Sequence, residues 1–390
     1  MKGIIWPLIA TMAIQALVSM AVFTPPIVAP AAHNDIGLPA IWIGIVTALT
    51  FSAATFGALF SGGIIARVGA LRMSQVSLFL CGSGIALIAS SNVWLIALGA
   101  LVMGLGYGPV TPSSSAILAD RTPERIRSFI FSLKQTGVPI GGALAGAIVP
   151  ALIVVFGWRA AALSVGLACA ALAAAIQPYR ALVDRAQHFA RPRMPASLLE
   201  PLRLVLAHPR LREMAFASCT YSGMQACLST FLVVYLTQQI GFSVPVAGAV
   251  LASAMAAGII GRISWGVVAD NWVAPRRLLG VLGVTMSAGA ALTATFMDTW
   301  PLAAVFAVSC VYGATAIGWN GVYLSEVVRI APPDKAGAAT GASLAMTYTG
   351  VVALPILFWV IVTLSDSYAA AYVTAAALTF WRASYFFRRD

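Results

Sequence analysis

The sequence predicts an all-α membrane protein with about twelve transmembrane helices, arranged as two pseudo-symmetric six-helix bundles. Three observations support this fold class: the composition is strongly apolar, long apolar runs recur along the chain, and motifs of the first half return in the second. Only 9% of the 390 residues are charged and 60% are hydrophobic, with a mean hydropathy of +0.92. Because soluble domains carry about 25% charged residues, this composition excludes an ordinary soluble protein.

The apolar runs are each long enough to cross a bilayer, which takes about 20 helical residues. They are continuous, and in lipid only helices or closed barrels satisfy every backbone hydrogen bond, so we predict helices. The predicted spans lie near residues 4–28, 40–65, 73–91, 93–118, 128–154, 158–178, 211–236, 244–268, 277–297, 300–325, 337–363 and 366–384.

The distribution of Lys and Arg predicts the orientation, because cytoplasmic loops of membrane proteins are enriched in both. With the N-terminus in the cytoplasm, Arg159 is the only one of 23 basic residues in an outer loop, while Lys134 and Arg262 lie within spans. We therefore expect a multi-pass protein of the cell inner (plasma) membrane with both termini cytoplasmic. The net charge of +11 then reflects topology and contact with anionic lipid, and does not indicate a nucleic-acid partner.

One long polar segment, rich in Arg and Pro, separates the sixth span from the seventh. It divides the chain into a six-helix bundle at 1–178, a cytoplasmic linker at 179–210 and a second six-helix bundle at 211–390. Four motifs recur in the same order in the two halves, namely GALFSGGIIARVG with GRISWGVVADNWV, YG with YG, PER with PDK, and KQTGV with TYTGV. A duplication of this kind around a site at the membrane midplane is typical of secondary transporters.

With these features the chain resembles the major facilitator superfamily over essentially its whole length. The family's loop motif after the second and eighth spans reads G-x-x-x-D-R/K-x-G-R-K/R. Its matching residues are Gly266, Asp270, Arg276 and Arg277 in the second copy and Arg67, Gly69 and Arg72 in the first. Ala66 stands where the family usually has Asp. The resemblance implies gating roles for Asp270, Arg67, Arg276 and Arg277, with Asp270 holding a helix terminus or an ion pair and nothing equivalent at Ala66.

In this superfamily the first, fourth, seventh and tenth spans line a central cavity, so the resemblance implies that their polar residues contact substrate. These residues are Gln15, Ser19, Tyr107, Thr111, Ser113, Tyr221, Gln225, Trp319, Asn320 and Tyr323. The alternative is that they form hydrogen bonds between helices, each worth about 0.6 kcal/mol. Gln225 and Asn320 lie in mid-span, and an amide without a partner in lipid is costly, so these two residues are favoured as substrate contacts. The expected substrate contacts are Gln15, Tyr107, Gln225, Asn320 and Tyr323, together with the cations Arg262 and Lys134.

Two cations, Arg262 and Lys134, lie inside predicted spans. Inserting a charged side chain at the centre of a membrane helix costs about 2.5–3.5 kcal/mol even on lenient insertion scales. Arg262 lies about 12 Å along a helix from Asp270, and Lys134 lies about 10 Å from Arg127. A structural role is the alternative for both, because Arg262 can bond to backbone carbonyls and Lys134 can extend to the headgroups. The pattern G-R-x-x-x-G-x-x-x-D around Arg262 also resembles the oxalate/formate antiporter and monocarboxylate transporter branches, in which the arginine contacts the substrate carboxylate.

These observations predict a secondary active transporter that moves a small solute by alternating access, with a small organic anion such as a carboxylate as its substrate. Arg262 would bind the anion and Lys134 would assist; symport and antiport, import and export all stay open. The alternative is a proton-coupled drug or metabolite exporter, which the glycine-rich fifth span favours.

No P-loop motif is present, so coupling is expected to come from a gradient or exchange, and no acidic residue lies clearly in mid-membrane, where exporters of cationic drugs commonly have one. The five cysteines lack metal-ligand spacing, and the three histidines, His33, His188 and His208, lie in loops. We therefore expect a protein that is not an enzyme and holds no metal or cofactor. The expected partners are the small-molecule substrate, the lipid bilayer and protons as coupling ion, and the chain is expected to be a monomer.

Overall fold

The structure is a computed structural model that describes residues 2–36, 43–90, 92–119, 121–184, 200–242, 244–332 and 335–387. Every regular element among these residues is an α-helix or a short 3-10 helix, which confirms the all-α fold class. The predicted features that lie partly outside the described residues include the second span at positions 40–42, the linker at positions 185–199 and the PDK turn at positions 333–334.

Seven helices make up the first six predicted spans. Their bounds are α1 Lys2–Ile36, α2 Ile43–Val68, α3 Ala70–Ile88, α4 Val93–Tyr107, α5 Val110–Ala119, α6 Arg127–Gln135 and α7 Gly137–Ala175. Two short helices, α8 Arg180–Asp184 and α9 Glu200–Ala207, follow in the predicted linker. The fourth span, which the sequence predicts as continuous, is divided between α4 and α5 at Pro109, a residue without the backbone N–H that a helix interior needs. The fifth span is divided between α6 and α7 at Thr136.

Seven further helices make up the second half. Their bounds are α10 Pro209–Gln238, α11 Val244–Asn271, α12 Pro275–Thr293, α13 Leu302–Ala316, α14 Asn320–Ile330, α15 Ala336–Ser365 and α16 Tyr368–Ser384. The tenth predicted span is also divided, between α13 and α14 at residues 317–319. The fourth and tenth spans occupy equivalent places in the two halves, so the same kind of break occurs in both.

Nine helical segments of the described chain are long and apolar enough to cross a membrane. One of them, Glu124–Tyr179, is 56 residues long and contains the fifth and sixth predicted spans. The two spans are separated at Gly157, whose φ of 81° ends one helix and starts the next. The ninth and twelfth predicted spans are the helices α12 and α16, of 19 and 17 residues. Every predicted span therefore corresponds to helical structure.

The chain divides into two compact units, and each unit includes one short segment from the other half of the chain. The first unit consists of Met1–Thr122, Lys134–His208 and Ile330–Ala345, and the second of Pro123–Leu133, Pro209–Arg329 and Met346–Asp390. In the second unit, the hydroxyls of Ser128 and Ser325 lie 2.9 Å apart and join α6 to α14. These units are defined by packing and not by chain order, so they do not test the linker at 179–210, which stays a prediction.

A close approach of α7 to α1 within the first unit brings the fifth span beside Gln15. A Cβ added at Gly137 would lie 2.9 Å from both Gln15 Cβ and Met12 O, so only glycine leaves room for this spacing. The small-residue stripe that continues from Gly137 to Ala145 is buried at Gly141 and Ala145 as well. Small residues permit such close helix contacts, and this one places the C-terminal end of α6 next to α1.

Candidate functional site

Lys134 lies in the last turn of α6, one residue before the helix ends, and its side chain is almost fully buried at 1% exposure. Its ammonium Nζ donates to Gln15 Oε1 at 2.8 Å and to Gln135 Oε1 at 2.9 Å. A longer contact of 3.5 Å reaches Thr111 Oγ1. The ammonium therefore lies in a buried polar network. If Lys134 reached the lipid headgroups, its ammonium would instead extend to an exposed surface.

The partners of Lys134 are themselves connected. Thr111 Oγ1 donates to Gln15 Oε1 at 3.2 Å, and Gln15 Nε2 donates to Ser19 Oγ at 3.4 Å. We call Lys134, Gln15, Gln135, Thr111 and Ser19 the lysine cluster. These partners are neutral, so their hydrogen bonds offset part of the desolvation of the ammonium without cancelling its charge.

Two helix breaks assemble the lysine cluster. Thr111 is the second residue of α5, directly after the break at Pro109, and Lys134 precedes the break at Thr136. The structure brings together Gln15, Thr111 and Lys134, three residues that the sequence nominates. Gln135 is a partner that the sequence analysis missed, although its position beside a buried lysine was a usable signal.

Tyr107, another nominated residue, is 9% exposed and packs edge-on against Phe51 at 6.1 Å between ring centroids. Its described ring contact is with α2. Its proposed contact with substrate stays a prediction.

Arg262 lies in α11 and is buried, with 3% of its surface exposed. Among its contacts, Nε donates to the backbone carbonyl of Ile317 at 3.0 Å. Ile317 is the C-cap residue that directly follows α13, and the last carbonyls of a helix have no partner within the helix. A guanidinium is well suited to this carbonyl, because it donates from several N–H groups held in one plane.

The carbonyl of Ile317 also accepts a hydrogen bond from Asn320 Nδ2 at 3.3 Å. The same Nδ2 donates to Gln225 Oε1 at 3.3 Å. We call Arg262, Ile317, Asn320 and Gln225 the arginine cluster. The structure thus brings together Arg262, Asn320 and Gln225, which the sequence nominates from three different spans. The carbonyl that joins them is backbone, and no residue type in the sequence could indicate it.

Indole side chains satisfy other carbonyls near the same break. Trp265 Nε1 donates to Ala314 O at 2.8 Å, and Trp319 Nε1 donates to Ala316 O at 3.1 Å. Trp265 was missed by the sequence analysis, although it lies one turn after Arg262. Because these donors come from α11 and from the break itself, they hold the broken end of α13 in place.

Tyr323 belongs to an aromatic group in the second unit. Its ring lies 5.1 Å from that of Trp319, and Trp319 lies 5.5 Å from Tyr221, both in edge-to-face arrangements. Tyr221 OH donates to Leu279 O at 2.8 Å, so this hydroxyl has an interhelical role. All three side chains are almost fully buried.

Asp270, the predicted gate residue, accepts two backbone N–H groups at the start of the fifth span. Its Oδ1 lies 3.0 Å from Ser128 N and its Oδ2 lies 2.7 Å from Phe129 N. These are first-turn donors of α6, so the carboxylate satisfies them and lies at the positive end of the helix dipole. The contact is of the helix-terminus kind that the sequence predicts, and its function as a gate stays a prediction.

The other predicted gate residues differ from one another. Arg276 Nη2 lies 3.2 Å from both carboxylate oxygens of Glu213, while Arg67 and Arg277 are exposed. In the first unit, where the loop motif has Ala66, a carboxylate from the linker helix α8 bonds to the start of a different helix. Asp184 accepts the N–H groups of Leu71 at 2.9 Å and Arg72 at 3.3 Å, at the start of α3.

Asp184 was not nominated by the sequence analysis, because it lies more than a hundred residues from its partners. Burial raises the pKa of its carboxyl above the usual value, although the two backbone N–H groups and Arg180 favour the charged form. The two units therefore each have a carboxylate at the start of a helix, supplied from a different element.

Among the residues that the structure describes, no group of three or more His, Cys, Asp or Glu side chains could hold a metal ion. Each of the two clusters contains a buried cation that donates to neutral oxygens, and this chemistry is compatible with the binding of an anion.

Comparison with known proteins identifies one family. The family model described as Major Facilitator Superfamily matches residues 11–355. A solved structure of a human organic anion transporter, MFSD10 (TETRAN), superposes with a TM-score of 0.74 at 15% identity, covering 97% of this chain and 99% of that one. At this identity the likeness concerns the fold.

Two curated relatives match shorter segments. The 4-hydroxybenzoate transporter PcaK of Pseudomonas aeruginosa is 30% identical over 186 residues, which cover 46% of this chain and 42% of the relative. The gentisate transporter of Corynebacterium glutamicum is 31% identical over 123 residues, covering 30% of this chain and 27% of the relative. The chain thus matches less than half the length of either relative.

Proposed function

We propose that this chain, which belongs to the major facilitator superfamily, carries a small organic anion across the membrane by alternating access. The observation that supports this most directly is Arg262, a cation buried in a membrane-spanning helix and bonded by Nε to a neutral carbonyl. That hydrogen bond leaves the positive charge of the guanidinium in place. A bound carboxylate would supply the opposite charge where water is scarce.

The chemistry of the anion follows from the guanidinium. A carboxylate that leaves water loses strong hydration, and a paired, hydrogen-bonded cation offsets that loss. Arginine presents a planar fork that matches the two oxygens of a carboxylate. We propose Arg262 as the main anion-binding residue, with Gln225, Asn320 and Tyr323 as neighbours of its site.

Lys134 is proposed as the second, assisting cation. Its ammonium is held by Gln15 and Gln135, so a fixed charge is available without large rearrangement. A compact ammonium attracts an anion but does not orient it as a fork does. We therefore expect Lys134 to contribute less to affinity than Arg262, and Gln15 and Tyr107 to act beside it.

The relatives suggest a narrower class of substrate. 4-Hydroxybenzoate and gentisate, the compounds named for the two relatives, are both hydroxylated aromatic carboxylates. Because the matched segments are short, we propose this class as the first to test. Coupling to protons and residence in the inner membrane with both termini cytoplasmic belong to the same proposal.

Binding to purified protein tests the proposal most directly. We expect 4-hydroxybenzoate to raise the thermal unfolding temperature, and 4-hydroxybenzamide, a neutral compound of nearly the same shape, to have no effect. Arg262→Gln should lose the response to the benzoate. If a lipophilic cation stabilises the protein and carboxylates do not, the exporter alternative is right and the anion proposal is wrong.

The proposed topology has a separate test. A single cysteine introduced at Arg203, in the linker helix α9, should resist an impermeant thiol reagent added to intact cells and react after the cells are lysed. A cysteine at Asp298, in a proposed outer loop, is the matched control and should react in intact cells. Labelling of position 203 from outside would overturn the proposed orientation.

A further inference from the structure

An apolar groove lies on the first unit between α2, α3 and the break of the fourth span. Its volume is about 340 Å³, and its lining includes Gly57 and Ile64 from α2, Val76 from α3, and Leu105 beside the break. One charged residue, Arg72, completes the lining at the start of α3. The groove is therefore apolar along its length with a cation at one end.

The groove depends on close backbone contact at its floor. A Cβ added at Gly57 would lie 2.8 Å from Leu105 O and 3.2 Å from Pro109 Cδ, so this glycine lets α2 lie directly against the end of α4. The larger side chains on either side then form the walls.

The walls of the groove include partly exposed apolar side chains. α2, α3 and the run Val93–Ala119 are each long and apolar enough to cross the membrane. Val76 is 38% exposed and Leu105 is 42% exposed, which in a soluble protein would be an unfavourable surface. In a bilayer the same surface is solvated by lipid.

The guanidinium of Arg72 is held in place by an anchored amide. Its Nη1 donates to Gln75 Oε1 at 3.3 Å, and Gln75 Nε2 donates to Ala173 O at 2.9 Å and to Gln177 Oε1 at 2.8 Å. A carboxylate at this end, Asp184, bonds to the Arg72 backbone and lies 3.6 Å from Arg180. Arg67, exposed in the last turn of α2, adds positive charge.

We propose that this groove binds one anionic phospholipid, with an acyl chain between α2 and α3 and its phosphate on Arg72. The apolar walls match a hydrocarbon chain, and the cation lies at the end of a spanning helix, the depth at which headgroups occur. A second basic residue at the same end favours a headgroup with net negative charge over a zwitterionic one. The proposal is independent of the transported solute.

Native mass spectrometry of the purified protein tests this site. Phosphatidylglycerol and phosphatidylcholine with identical acyl chains are titrated separately, and the fraction of protein that retains one lipid is measured. We expect wild-type protein to bind phosphatidylglycerol about tenfold more tightly, which corresponds to about 1.4 kcal/mol. Arg72→Gln should reduce this affinity to that for phosphatidylcholine.

Two controls separate the groove from general attraction between a basic protein and anionic lipid. Arg125→Gln removes another exposed arginine, from the short 3-10 helix Glu124–Ile126, and should leave the preference unchanged. Val76→Trp fills the groove and should weaken the binding of both lipids. Monodisperse elution on size exclusion establishes that each variant is folded, and if Val76→Trp is not, the two arginine variants decide the matter.

The source of the anion is tested by adding glycerol 1-phosphate, which has the headgroup chemistry without acyl chains. We expect no competition with phosphatidylglycerol. Competition would mean that Arg72 binds a free phosphate, and equal losses in Arg72→Gln and Arg125→Gln would mean that the groove is not involved. Either result overturns the proposal.

Discussion

The lysine cluster and the arginine cluster bury the same charge by different means. Lys134 is surrounded by side-chain oxygens from α1, α5 and α6 itself, whereas Arg262 is bonded to the backbone carbonyl at which α13 ends. Substitution can alter each partner of the lysine separately. The carbonyl partner of the arginine persists whatever side chain is placed at 317, so this site depends on the helix break.

This difference teaches which of the two cations is better suited to hold an anion. A compact ammonium is adequately solvated by two amide oxygens and a hydroxyl, all of which are neutral acceptors. A guanidinium presents a planar fork of N–H donors that matches both oxygens of a carboxylate. We therefore expect the arginine cluster to dominate anion affinity and the lysine cluster to adjust it.

The largest expected effect is that of Arg262→Gln. Truncating one partner of a desolvated charge pair costs about 2–5 kcal/mol, so affinity for the carboxylate should fall roughly 30-fold or more. Arg262→Lys should also weaken binding, because the charge remains and the fork is lost. Isothermal titration and uptake in proteoliposomes measure both variants.

A purely structural arginine predicts a different result. Arg262→Gln would then lower the unfolding temperature with and without ligand, and would leave the relative affinities of different carboxylates unchanged. A folded Arg262→Gln variant that transports at the wild-type rate would show that the anion proposal is wrong.

Lys134→Gln should have a smaller effect, a loss of affinity of about tenfold, since one cation remains. The double variant tests whether both cations act on one anion. In that case its loss should be smaller than the sum of the two single losses expressed as free energies. Strict additivity would contradict a shared anion.

Gln15→Glu sharpens the comparison without removing either cation. It places a carboxylate where Gln15 Oε1 lies 2.8 Å from the ammonium, so an internal anion would neutralise Lys134. We expect an affinity loss similar to that of Lys134→Gln, about tenfold, with thermal stability preserved. Gln225→Glu makes the same change in the arginine cluster, where Gln225 bonds to Asn320, and it should lower affinity further than Gln15→Glu because Arg262 is proposed as the main anion-binding residue. An unchanged affinity in Gln15→Glu would show that the charge at Lys134 does not matter.

The smallest expected effect concerns the two carboxylates that lie at helix starts. Asp270→Asn keeps an acceptor for Ser128 and Phe129 but loses the charge, which is worth about 0.3–1 kcal/mol at a helix N-terminus. We expect a shift of up to about fivefold toward inward-open molecules, measured as accessibility of cysteines at cytoplasmic positions. Asp184→Asn, which alters the linker contact in the first unit, is the control and should not shift it. Equal accessibility in wild type and Asp270→Asn would remove Asp270 from the gate.

Much of the fold could be predicted because the signal for a membrane helix is local. A run of apolar residues identifies a span wherever its neighbours lie, and all twelve predicted spans correspond to helices. The breaks in the fourth and tenth spans were not predicted, since hydropathy averages over them. Pro109 was a local signal for the first break; the second contains Gly318 and no proline, so composition alone indicates little.

The sequence predicted which polar residues belong to the candidate site, but not which of them are in contact. Buried charges and amides are costly in lipid, so Lys134, Arg262, Gln15, Gln225 and Asn320 stand out in an apolar sequence. Which of them meet is a different question. Asp184 escaped notice because linkers are commonly solvated, and its partners at the start of α3 are backbone groups.

The sequence by itself determined the membrane-spanning, all-helical character of the chain, its basic loops and the small set of polar residues inside the spans. Each of these follows from composition over short windows, because the transfer of a residue into lipid depends mainly on that residue. Only the tertiary structure decided that Lys134 meets an amide 119 residues away, and that Arg262 meets a carbonyl 55 residues away. Those pairings depend on helix packing and on where helices break, and a broken helix exposes backbone carbonyls that every sequence contains.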